Sequence, residues 1–204
     1  AEQGLDAALI NNPANRRYLS GFTGSTGYVL LTPTESLFFA DFRYLEQAQN
    51  ECAGYEIVSI KGEDDLFTYL NDNNFKKLGV EEKSMTLSFA NALRVRSGIK
   101  TMIGIDAKIA NLRMVKDNQE LSKIRRACEI TDLAFADILT QIREGMTEAE
   151  IDYELQSYMR KFPEVEKMAE RFIVASGERG SLPHGIAGAR RVQKGDFITM
   201  DFGC

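Results

Sequence analysis

Between Leu121 and Ile142 the side chains Leu121, Ile124, Cys128, Thr131, Phe135, Ile138 and Ile142 recur at intervals of three and four. That spacing is one stripe of an amphipathic helix, which must find a core to bury it. Asp117 and Glu120 stand where a capping box opens such a helix, with an acceptor at its start and a carboxylate reaching back three residues later. Gly145 closes it. Thr147 and Glu150 repeat the box, and Ile151, Leu155, Tyr158 or Met159, and Phe162 carry a second stripe. The chain must therefore fold two capped helices in tandem over this stretch.

What precedes them has a different rhythm. Ala7–Ile10 reads as a short buried strand closed by Asn11-Asn12-Pro13. Tyr28–Leu31 and Leu37–Ala40 read as a hairpin or as adjacent strands. Further strands are expected at Tyr55–Val58, Leu78–Val80 and Ile103–Ile105, with helices over Arg43–Asn50, Asp64–Leu70 and Phe89–Gly98. Strands alternating with helices indicate an α/β domain. The expected organisation is one domain over residues 1–112 and a second over 113–204, with Arg113 and Lys116 in a solvated linker. After Arg171 the chain becomes strand-like again, at Phe172–Ala175 and at Asp196–Gly203, around a Gly-rich turn.

A length of 204 residues, 44% hydrophobic and 27% charged, is that of an ordinary globular protein with enough chain for a core. The net charge of -5 argues against a nucleic-acid partner, which usually demands a basic face. No apolar run approaches a membrane span, and Ala1–Asp6 is polar and acidic rather than signal-like. Three cysteines, Cys52, Cys128 and Cys204, lie far apart without metal-ligand spacing, which fits a reduced cytoplasmic protein.

Two residues stand out as chemical candidates. Asp201 sits in the apolar strand Phe197–Phe202, where Ile198, Met200 and Phe202 share one face and Phe197, Thr199 and Asp201 the other. A carboxylate buried there needs a hydrogen-bond partner or a metal; capping the next turn and ligating a metal both satisfy it. His184, the only histidine, lies between Pro183 and Gly185. It reads either as a donor to a substrate carbonyl or oxyanion, or as a loop histidine without a role. Cys128 reads as a small core residue of the helix stripe. The segment Gly21–Gly27 lacks the spacing of a nucleotide-binding loop and no helix follows its last glycine. Asp201-Phe202-Gly203 lacks the partner motifs of a kinase.

Taken in order, the segments resemble the pita-bread metallopeptidases, the family of aminopeptidase P, prolidase, methionine aminopeptidase and creatinase. Tyr18–Gly24 with Ala40–Tyr44 and Gln47-Ala48 is similar to the amino-terminal domain of the proline-specific branch and of creatinase. Leu112–Lys116 with Glu120 and Arg125–Ala127 resembles its junction. Ile173–Gly177, Leu182–Gly185 and Gly195–Gly203 resemble the opening of the catalytic domain. The resemblance implies a creatinase/prolidase-like α/β domain, a mixed sheet with flanking helices, followed by the first part of an α+β pita-bread domain. It implies hydrolysis of Xaa-Pro peptide bonds, with a proline-containing peptide as substrate, a homodimer, and two divalent metal ions, manganese expected. By the same resemblance Asp201 is a metal ligand and His184 contacts substrate near the reacting carbonyl.

The family also uses a second Asp, a metal-binding His and two Glu after this point of its pattern. The 204 residues are therefore expected to be a fragment that lacks most metal ligands, binds no metal pair and is inactive by itself, with either disorder beyond Gly180 or pairing between copies along the strand edge. A creatinase-like amidinohydrolase and a non-catalytic peptide- or histone-binding relative are the competing readings.

Overall fold

The computed structural model describes residues 4–204; the first three residues of the polar opening segment lie outside the described residues. Two compact units divide between Val115 and Lys116. In the first, strands β1 (Ala7–Ile10), β2 (Tyr28–Leu31), β3 (Ser36–Ala40), β4 (Glu56–Ser59), β5 (Lys77–Val80) and β6 (Thr101–Gly104) form one six-stranded sheet in the order β4-β3-β2-β1-β5-β6. The pairs β1–β2 and β2–β3 are antiparallel, and β3–β4, β1–β5 and β5–β6 are parallel, so the sheet is mixed.

The strands read as continuous apolar runs because both faces of the sheet are covered. Leu9, Leu30 and Phe39 pack on one side with Leu66, Phe67 and Leu70 of helix α3 (Glu63–Asp72) and Phe89 and Leu93 of helix α4 (Leu87–Arg96). Their sequence neighbours Ile10, Val29 and Phe38 turn to the other side. There they meet Ala48 of helix α2 (Leu45–Glu51) and Ile109 of helix α5 (Asp106–Met114).

Two helices escaped the sequence reading. Asn12 and Pro13 do more than close β1. The Asn12 side chain caps helix α1 (Pro13–Ser20) by accepting from Ala14 N and Asn15 N at 3.0 and 3.2 Å, with Pro13 in the first turn. The buried residues of α1 are Arg16 and Ser20, both polar, so no apolar period exists to be read. Arg16 donates to the carbonyls of Gly27 and Gly24 at 2.9 and 2.8 Å and lies over the Phe22 ring. The Gly21–Gly27 segment is thus wrapped around an arginine. A Cβ at Gly24 would collide with the Phe22 ring, and one at Gly27 would come within 2.7 Å of Phe38. Helix α5 buries only Ile109. It also absorbs Arg113, expected in a solvated linker: the guanidinium donates to Asn15 Oδ1 at 2.6 Å and covers the Tyr18 ring.

The second unit holds helices α6 (Asn118–Gln141) and α7 (Glu148–Met159) and the antiparallel pair β7 (Ile173–Ser176) and β8 (Ile198–Asp201). Both expected capping boxes are formed, Asp117 with Glu120 and Thr147 with Glu150. Ile151, Leu155 and Met159 of α7 are fully buried. In α6 the buried line is Ile130, Ala134 and Ile138. Ile124, Cys128 and Phe135 lie exposed beside it, so Cys128 is not the core residue expected. The helix is apolar over two adjoining faces, and the alanine-containing one packs into the core that α6 shares with α7. Residues beyond Gly180, where disorder was one expectation, build β8 and complete this core through Ile198, Met200 and Phe202. No described helix is long and apolar enough to cross a membrane.

Candidate active site

The β7–β8 pair carries Asp201 on its second strand, and the loop that holds His184 leaves from its first. Its register sets Ile173 against Asp201, Val174 against Met200 and Ala175 against Thr199. Side chains directly opposite share a face. Val174 and Met200 turn to the core, while Ala175, Thr199 and Asp201 turn to the other side. Phe197, two residues before Thr199, is 89% exposed. The alternation along β8 is the one expected, but its outer face is open. Asp201 is exposed rather than buried, and it neither caps the following turn nor accepts any other hydrogen bond among the described residues.

His184 reaches the same side of this sheet by a loop. After β7 a 3-10 turn, Gly177–Ser181, leads to Leu182-Pro183-His184-Gly185, and Ile186 then bridges back to Ile173 on the edge opposite Asp201. Ile186, Ile173 and Asp201 therefore lie in one row across three chain segments. At about 4.8 Å per neighbour, that row spans about 10 Å. His184 is exposed, two residues from one end of the row, and Asp201 is the other end.

Close packing holds the loop down. Leu182 N donates to Arg179 O at 3.0 Å, Gly185 N to Leu182 O at 3.1 Å, and Thr199 Oγ1 to Gly180 O at 3.0 Å. Gly185 is buried, and a Cβ there would stand 2.6 Å from the Ala175 Cβ. Ala175 sits in a paired strand and cannot yield, so Gly185→Ala is expected to cost about 1–3 kcal/mol through overpacking. Denaturant titration would register it as a lower midpoint at unchanged slope; an unshifted midpoint would mean the loop does not press on β7.

Beneath the loop lies a polar network that the sequence did not disclose. Glu148, the first residue of α7, is 0% exposed. Oε1 accepts from Ser176 N and Ser176 Oγ at 2.8 and 2.9 Å, and Oε2 from Gly188 N at 3.2 Å and from the Arg179 guanidinium. Arg179 also donates to Ile186 O at 2.8 Å. Arg190 bonds Ser176 Oγ and the Asp196 carboxylate, both at 2.6 Å. That contact holds the Asp196 carboxyl below its ordinary pKa. The only sign of Glu148 in the sequence is an acidic residue in a first helical turn, which is too common to single it out.

Asp201 offers an accessible carboxylate, the donor a hard divalent cation takes. One carboxylate is not a site, and no group of three His, Cys, Asp or Glu side chains that could hold a metal occurs among the described residues. These residues fit one ligand position and not a closed metal centre.

The amino-terminal unit matches the family model described as Creatinase/Prolidase N-terminal domain over residues 1–115, and the second matches Metallopeptidase family M24 over residues 122–204. The chain belongs to the M24 metallopeptidases with a creatinase/prolidase amino-terminal domain. Among relatives of this M24 chain is a Bacillus subtilis protein called uncharacterized peptidase YqhT, 36% identical over 98% of this chain and 57% of its own. Among solved structures, an Xaa-Pro dipeptidase from Bacillus anthracis superposes with a TM-score of 0.91, at 37% identity over 99% of this chain and 57% of that one. An X-Pro aminopeptidase from Thermotoga maritima superposes with a TM-score of 0.88, at 40% identity over 98% of this chain and 58% of that one. The M24 chain thus spans somewhat more than half the length of these proteins.

Proposed function

We infer that a protein of its relatives' full length carrying this chain hydrolyses Xaa-Pro peptide bonds with the aid of divalent metal. The observation that carries this reading is the match, across both units together, to proteins called Xaa-Pro dipeptidase and X-Pro aminopeptidase. The geometry supports two roles within it. The Asp201 carboxylate is exposed and has no hydrogen-bond partner among the described residues, as a ligand position must be before it is filled. His184 is exposed on a loop whose backbone is packed against β7, so a ring N–H can be aimed at a carbonyl oxygen or the oxyanion formed from it without first ordering the chain. A bound divalent metal supplies Lewis-acid polarisation and an acidified water. Manganese and the homodimer follow from the family resemblance, and the cytoplasmic location from the spacing of the three cysteines.

Replacing His184 by alanine in the full-length protein is expected to lower kcat by about 10²–10³-fold, the usual loss for one preorganised donor. Metal content, measured by inductively coupled plasma mass spectrometry, should not change. Near-normal turnover, or loss of metal, would remove His184 from the donor role.

A further inference from the structure

We propose that Glu148 is a positioning residue for the M24 reaction: its buried carboxylate clamps both ends of the His184 loop and so sets where the imidazole stands. This rests on the donor role given to His184 above. The carboxylate lies under the loop and uses each oxygen for a different end of it. Oε1 takes the amide and hydroxyl of Ser176, where the chain leaves β7. Oε2 takes the amide of Gly188, where the chain returns, and the guanidinium of Arg179. Arg179 carries the hold into the loop, since its second nitrogen donates to Ile186 O, two residues after His184. The backbone pairs around the same point, through Glu148 N to Arg190 O at 3.0 Å and Ala149 N to Gly188 O at 3.1 Å.

A fully buried charge is a poor device for stability alone, because its desolvation offsets much of what its partners return. What it does provide is directional preference: four donors converge on two oxygens, and a loop displaced from them leaves a charge unpaired in the interior. A glutamine cannot replace it. The amide has one oxygen, so one end of the loop would face an NH₂ group instead of an acceptor.

The single histidine makes the test direct. In the 204-residue chain, nuclear magnetic resonance follows the His184 ring signal and the exchange of the Ser176 and Gly188 amides. Glu148→Gln is expected to speed exchange at one or both amides at least tenfold and to move the ring signal toward that of free histidine. Amides of the α6 and α7 cores should stay protected, and Glu144→Gln, at an exposed site, should change nothing. A folded Glu148→Gln chain with both amides and the ring signal unchanged overturns the clamp. If that variant does not fold, Arg179→Gln takes its place: it removes the arm to Ile186 and leaves Ser176 held. A moved ring signal then supports the proposal, and an unmoved one overturns it.

In the full-length protein, Glu148→Gln should lower kcat/KM at least tenfold in the presence of His184 and have no further effect in a His184→Ala background. Losses that multiply in the double variant would show that Glu148 does not act through His184. Full activity of His184→Ala alone would instead sink the donor role, and with it any effect on catalysis, while the resonance experiment still decides the clamp.

Discussion

Asp201→Asn in the full-length protein is expected to reduce turnover of an Xaa-Pro peptide by more than about a hundredfold, beyond the loss typical of a residue that only supports a metal ligand. It should also weaken metal retention. The amide keeps the shape of the carboxylate but removes its negative charge, which leaves a neutral and poorer ligand for a hard cation. The prediction is clean because Asp201 is exposed and has no hydrogen-bond partner among the described residues. Its replacement breaks no hydrogen bond among the described residues, and the change in folding stability should stay within about 0.5 kcal/mol, as for surface substitutions generally. Metal analysis after dialysis, with thermal unfolding alongside, separates the possibilities. Near-normal turnover at saturating manganese would remove Asp201 from the ligand set, and a large drop in melting temperature would assign it a structural role instead.

Phe38→Ala is expected to destabilise the amino-terminal unit by about 3–5 kcal/mol, the range for emptying a buried aromatic position. Phe38 is fully buried on β3, between β2 and β4 in the six-stranded sheet. Its ring centroid lies 4.5 Å from that of Phe22, and the absent Cβ of Gly27 makes room for it. A domain typically has about 5–15 kcal/mol in total, so this one truncation removes a large share. Urea unfolding followed by far-ultraviolet circular dichroism would measure it. A loss below about 1 kcal/mol would mean that the cavity collapses and that the face of the sheet opposite Phe39 contributes little.

Much of this molecule is determined by signals that act over a few residues. The capping boxes at Asp117/Glu120 and Thr147/Glu150 form as read, because each is a bond between neighbours in the chain. The apolar runs at Ala7–Ile10, Tyr28–Leu31 and Leu37–Ala40 become strands, because a run buried on both faces leaves no exposed side to disguise it. The alternation that separates Asp201 and Thr199 from Ile198 and Met200 was equally legible, since it is a property of any strand.

Other features depend on which surfaces meet. Helix α6 carries apolar residues on two adjoining faces, and its sequence cannot say whether the line through Cys128 or the line through Ala134 will be covered; packing against α7 decides for the latter. Helix α1 buries Arg16 and Ser20, so it shows no apolar period, and its polar face is satisfied only by the Gly24 and Gly27 carbonyls folded over it. Whether Asp201 would be enclosed or open was decided by what stands before its face, not by its strand. Glu148 is the extreme case. In the sequence it is one acid at a helix start, and its donors stand 28, 31 and 40 positions away. Only the closing of the chain carries them to it, because a hydrogen bond records a distance in space and leaves no period along the sequence.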